Sequence, residues 1–320
     1  MSMNKKWLIA GGITAALAVG LIAGSEAACS LASRRKSKLF ELAQKKPKDI
    51  LGLREDMSQA LADNIEALRN QPMEIVSIRS HDGLSLVGHW YPAENPKRIV
   101  LMAHGWRSLW YRDFAMSAKF MHDSDCSLLY IEQRSHGESE GDYISYGAME
   151  RHDIQSWVDF ILTRNPDDLP IYLCGISMGA STVLMATELP LKNHIKGVIA
   201  DCGFTSGDAI LKDIISKNMR HAPISAVFKI TDSTYKHHTG IAYGDCSTIP
   251  AMRKCTVPVL FIHGGRDDFV PAYMTYENYE ACAAPKDLFI VPDAAHGTSY
   301  LFDKEGYENK VLSFFDKYDK

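Results

Sequence analysis

The chain predicts an α/β fold: an eight-stranded, mostly parallel sheet with helices on both faces, a helical insertion late in the sheet, and a hydrophobic N-terminal segment. Three observations carry that expectation. Eight short apolar runs between residues 74 and 292 end in Gly, Pro or polar residues, as buried strands do. Segments with helical periodicity fall between them, and alternation of the two implies a sheet covered on both faces. One interval of about fifty residues, Gly203 to Thr256, breaks the alternation, and an insertion of that length in a compact domain suggests a lid.

The elements follow in order. EIVSIRS (74–80) and LSLVGHWY (84–91) alternate apolar and polar residues around Asp82-Gly83, which predicts a hairpin. RIVLMAHG (98–105), CSLLYIEQR (126–134), IYLCG (171–175), GVIADCG (197–203), VPVLFIHGG (257–265) and KDLFIVP (286–292) complete the strands. Between them, residues 148–164 place Ile154, Trp157, Val158, Ile161 and Leu162 on one helical face. In the long interval, DAILKDIISKNM and ISAVFKIT are the helical candidates, so the lid is expected at about 204–250.

The N-terminus differs in kind. Trp7 to Gly24 carries no charge and follows Lys5 and Lys6. Two readings stay open: a signal peptide with small residues near Ala27 for cleavage, or an uncleaved anchor helix, since about 18 apolar residues reach the lower limit of a span. A lipoprotein site at Cys29 is a third, although Glu26 stands where an aliphatic residue is expected. Residues 1–33 are thus assigned to this segment and 34–73 to a basic, helical linker. The Lys/Arg residues between Arg34 and Lys48 favour a cytoplasmic C-terminal side, whereas a secretory start argues for the other. The protein is expected to be membrane-associated or exported.

Composition excludes some partners. With 320 residues, 46% apolar and 23% charged, the chain can bury a large core. A formal net charge of −4 offers no basic field for nucleic acid. The seven cysteines have no regular spacing and predict no disulfide framework. His221, His237 and His238 lack ligand spacing and are read as lid surface residues. No metal or cofactor motif is present, and none is expected.

Chemistry concentrates in three turns. GISMG (175–179) places Ser177 between a strand and a helix, where Gly175 and Gly179 remove the Cβ atoms that such a reversal cannot accommodate. A serine hydroxyl needs a base to take its proton and a carboxylate to orient that base. HGGRDDFVP supplies Asp267 after the seventh run, with Asp268 as adjacent competitor, and DAAHG supplies His296 after the eighth. If the strands are parallel, all three turns open at one sheet edge. HGW (104–106) follows the third run, and the backbone N–H groups of Trp106 and Met178 are the expected oxyanion donors. Trp110, Phe204 and Phe269 are candidates for the substrate pocket, among aromatics that also include Tyr111 and Tyr300.

HGW, EQRSHGESEG (132–141), GISMG, DCGFTS (201–206), HGGRDDFVP and AHG together resemble the α/β-hydrolase superfamily, and within it the cinnamoyl/feruloyl esterase-like and lysophospholipase-like serine hydrolases. The resemblance spans residues 74–318. It implies an α/β-hydrolase fold, Ser177 as nucleophile, His296 as base, Asp267 as orienting acid, and a lid over an acyl pocket. Glu132-Gln133-Arg134 departs from the Asp often found before that Arg. The expected activity is hydrolysis of a small-molecule carboxylic ester through an acyl-enzyme. An aminopeptidase-type amide hydrolase, an acyltransferase and a non-catalytic, membrane-tethered binding protein are the alternatives. Substrate preference and oligomeric state are not legible.

Overall fold

In the computed structural model, which describes residues 23–38, 55–191, 194–218 and 223–319, eight strands form one sheet in the order β1-β2-β4-β3-β5-β6-β7-β8. The strands are β1 (Glu74–Arg79), β2 (Ser85–Tyr91), β3 (Arg98–Ala103), β4 (Cys126–Ile131), β5 (Ile171–Ile176), β6 (Ile195–Asp201), β7 (Val259–Gly264) and β8 (Lys286–Val291). The predicted hairpin pairs antiparallel, Ile75 opposite His89 and Ser77 opposite Val87, and β2 runs antiparallel to β4. Every later pairing is parallel. Their sequences explain the difference. β1 alternates exposed and more buried positions, whereas every residue of β3, β4 and β7 is buried, as strands covered on both faces must be.

The covering helices divide the core in two. On one face, the helix Glu150–Thr163 packs Ile154, Trp157, Val158 and Ile161 against Leu101, Leu129 and Leu173. On the other, the helix Lys304–Tyr318 packs Val311, Phe314 and Phe315 against Tyr172, Ile199 and Leu260. Leu162, placed by periodicity on the inward stripe, is only half-buried at its edge. All seven cysteines are buried thiols, none in a disulfide.

The insertion between β6 and β7 holds the helices Gly207–Asn218 and Ile224–Thr239, which form the lid. A third helix, Thr248–Lys254, belongs instead to the body: Ala251 and Met252 are fully buried, Met252 in the main core.

The N-terminal stretch is less separate than its composition suggests. Residues 23–33 form a helix, here α1, whose Cys29 is 1% exposed in one hydrophobic cluster with Met178, Phe204 and Phe228. The helix Glu55–Arg69 buries Leu68 in the second core. Both lie in regions read from sequence as anchor and linker. Among the described residues no helix is long and apolar enough to cross a membrane. The charge-free run Trp7–Gly24 lies outside them except for its last two residues.

Candidate active site

Ser177 sits where β5 ends and the helix Met178–Ala186 begins, with φ 56° and ψ −118°. A non-glycine residue with positive φ is strained, and such strain persists only where its surroundings enforce it. Here they do. A Cβ at Gly175 would collide with the Gly179 carbonyl, and one at Gly179 with the Ala103 carbonyl on β3. The Ser177 N–H donates to the Asp201 carbonyl at the end of β6 (2.8 Å). The turn is locked on three sides, and the hydroxyl projects from the sheet edge.

Both predicted partners meet it there. His296 Nε2 lies 2.9 Å from Ser177 Oγ, and His296 Nδ1 lies 2.7 Å from Asp267 Oδ2. A carboxylate only accepts, so Nδ1 carries the proton and Nε2 is left to accept from the serine. The choice left open between two aspartates is resolved by geometry. Asp267 is buried on the histidine, whereas Asp268 is exposed and its backbone carbonyl accepts from Lys217 Nζ (2.7 Å).

Asp267 is embedded in donors. Oδ1 accepts from the N–H groups of Phe269 (2.9 Å) and Val270 (2.8 Å), and His263 Nε2 lies 3.2 Å from Oδ2. That nitrogen also donates to the Val270 carbonyl (2.9 Å), which fixes its proton. Burial works to raise the Asp267 pKa, yet the hydrogen bonds and charges of His263 and His296 hold the carboxyl well below the ordinary carboxylate range. Asp201 shows the reverse. Buried beneath the serine, its pKa is pushed up to about 6, chiefly by burial, against the opposing pull of His263 and His296.

The loop after β3 comes close to the serine. A Cβ at Gly105 would lie 3.2 Å from Ser177 Cβ, so only glycine lets the chain pass without crowding. Residues that sequence reasoning missed hold this loop in place. Asp113 accepts from the Gly105 N–H (2.6 Å) and the Ser108 hydroxyl (2.5 Å). His136 Nε2 accepts from the Arg107 N–H (3.0 Å) while its Nδ1 donates to the Arg134 carbonyl (2.9 Å). Burial drives the His136 pKa down to about 3, so this pairing persists at neutral pH. Arg107 is itself left-handed, with φ 51°. Arg134 in turn pairs with buried Asp153 (2.6 and 2.7 Å) and with Asp82 (2.8 and 3.1 Å), which anchors the loop that carries His136.

Two cavities meet at Ser177. One, of about 520 Å³, is apolar and lined by Phe204, Ile210, Leu211, Ile214 and Phe228 from the lid side, by Trp106 and Phe269, and by Ala28, Leu31 and Ala32 of α1. The other, of about 330 Å³, is more polar and lined by Arg112, Asp113, Asp201, Tyr300 and also Leu61 and Ile65 of the helix Glu55–Arg69. Trp106 and Phe269 border both. Of the expected pocket aromatics, Phe204 and Phe269 line the apolar cavity, but Trp110 lines neither. Its ring packs in the core on His89 and Tyr130, 4.4 and 5.3 Å between centroids, because the short helix Trp110–Asp113 turns it inward. His238 is also more than a lid surface residue: it pairs with Glu26 of α1 at 3.0 Å.

A mostly parallel eight-stranded sheet with a serine on the turn after β5, an acid after β7 and a histidine after β8 is the architecture of the α/β-hydrolase fold. The family described as serine aminopeptidase, S33, matches residues 94–228. The protein YqkD of Bacillus subtilis is 27% identical over 317 residues, covering 98% of this chain and 97% of that one. Among solved structures, the esterase PF2001 of Pyrococcus furiosus superposes with a TM-score of 0.64 at 19% identity, covering 86% of this chain and 97% of its own. An esterase of Exiguobacterium antarcticum gives 0.57 at 18%, covering 75% and 99%.

Proposed function

We propose that the protein is a serine hydrolase of carboxylic esters working through an acyl-enzyme. The observation that carries this reading is the relay Asp267–His296–Ser177, 2.7 and 2.9 Å, set where two mainly apolar cavities join. Ser177 Oγ attacks the ester carbonyl while His296 Nε2 takes its proton, and Asp267 stabilises the resulting imidazolium. The N–H groups of Trp106 and Met178 hold the oxyanion. As the C–O bond breaks, His296 returns the proton to the leaving alcohol. Water then attacks the acyl-enzyme, losing its proton to His296, and the acid departs as the serine is reprotonated.

The matched family's description raises amide hydrolysis from a free amino terminus as the second reading. That chemistry needs a carboxylate for the substrate ammonium. Of the acids lining the smaller cavity, Asp113 already accepts from Gly105 and Ser108 through both oxygens, and Asp201 is buried with a raised pKa. Both features favour the ester. A panel of p-nitrophenyl esters run beside aminoacyl anilides tests the choice, and faster turnover of the anilides reverses it. Labelling by a fluorophosphonate, lost in Ser177→Ala, tests the nucleophile; an unlabelled wild type supports a non-catalytic binding protein.

A further inference from the structure

The apolar cavity is not built by the hydrolase body and lid alone. Ala28, Leu31 and Ala32 of α1 form one of its walls. The helix is fastened on both sides of that wall. At its C-terminal end, where backbone carbonyls have no helical partner, Arg107 Nη2 donates to the carbonyls of Ser30 (3.2 Å), Leu31 (3.0 Å) and Arg34 (2.8 Å). The Ala32 carbonyl accepts from Trp106 Nε1 and from the Tyr146 hydroxyl, both at 2.8 Å. The Ser33 hydroxyl meets that of Tyr243 at 2.6 Å, and the Ile144 N–H donates to the Ser33 carbonyl (2.7 Å). Nearer its start, Glu26 pairs with His238 of the lid at 3.0 Å, and Ser25 Oγ meets Thr234 Oγ1 at 2.8 Å.

These contacts favour an uncleaved segment over cleavage near Ala27, and the burial of Cys29 disfavours the lipoprotein reading. Cleavage near Ala27 would remove Ser25 and Glu26 with their lid partners, and would leave Ala28 and Cys29 at a frayed, charged chain end. A new ammonium beside an apolar cavity is unfavourable. The charge-free run Trp7–Gly24 leads directly into this helix. We propose that α1 is a permanent wall of the acyl cavity, that the N-terminal segment therefore stays on the working protein as its membrane anchor, and that the cavity takes aliphatic esters from the adjoining lipid surface. The substrate class rests on the ester-hydrolase reading; retention of the segment does not.

The test has two arms on the full-length protein, expressed with a C-terminal tag. Peptide mapping of the purified membrane fraction should find residues 23–33 intact and attached. A mature chain that begins at or just after Ala27 overturns the anchor. In the second arm, Ala28→Trp fills the cavity from α1. The ratio of kcat/KM for p-nitrophenyl octanoate to that for the acetate should fall at least tenfold, and cis-parinaric acid should bind at least tenfold more weakly by fluorescence titration. Leu31→Glu, at a partly exposed position, should weaken the probe in the same direction if Ala28→Trp does not fold. Unchanged probe binding in folded variants overturns the wall. Failure of the wild type to cleave any ester, with probe binding still lost in the variants, overturns the ester reading alone.

Discussion

Replacing Asp267 by Asn tests the relay most sharply, because the surroundings dictate how the amide must sit. Asp267 Oδ1 accepts two backbone N–H groups, from Phe269 and Val270, while Oδ2 faces His296 and His263. An amide has one acceptor oxygen, and the two N–H groups hold it at the Oδ1 position. Its NH2 then points at His296 and donates to Nδ1. The imidazole proton moves to Nε2, facing Ser177, and a nitrogen that already carries a proton cannot take the serine's. Flipping the amide restores the working tautomer but aims NH2 at the two N–H groups. Two unmet donors cost about 1–3 kcal/mol each, so the competent form lies about 2–6 kcal/mol uphill. That predicts a kcat loss between about 30-fold and about 2.5 × 10⁴-fold. The assay is initial-rate hydrolysis of a p-nitrophenyl ester by Asp267→Asn, with circular dichroism and thermal melting to establish that it is folded. A folded variant that loses less than tenfold refutes the argument, since Asp267 would then not set the histidine's tautomer.

Other outcomes follow from the same packing. Asp201 titrates near 6 in the fold against about 4 when unfolded, so the native state binds its proton more tightly and stability falls as pH rises between those values. Asp201→Asn should therefore raise stability by up to about 3 kcal/mol at pH 8 and leave it unchanged below pH 4; urea melts at both pH values check this. Gly179→Ala forces a Cβ into the Ala103 carbonyl and should abolish fluorophosphonate labelling, read against a wild-type control on the same gel. Trp110→Ala should lower stability by about 3–5 kcal/mol with the ester chain-length profile retained, whereas Phe204→Ala should shift that profile toward longer acyl chains. Paired melting curves and kcat/KM series separate the two.

The sheet and the hydrogen-bonded trio at its edge were legible because their signals are local. A run such as IYLC reads as a buried strand wherever it lies, and Ser177, Asp267 and His296 each follow such a run directly. What supports them was not legible, because it is assembled across the chain. His136 reaches the loop after β3 from 29 positions away, and Asp113 holds Gly105 only because a short helix folds it back. Trp110 misled for a related reason: four helical residues carry too little periodicity to say which side faces inward. The packing of residues 23–33 was the least legible. Beside a charge-free run they read as part of a signal peptide or anchor helix, while the partners they pack against, Tyr146, Thr234, His238 and Tyr243, lie more than a hundred positions later.

Ser177 stands at the doorway between two rooms of different character. On the ester reading proposed above, a substrate seated across that threshold would leave its two halves in separate cavities, each with its own way out.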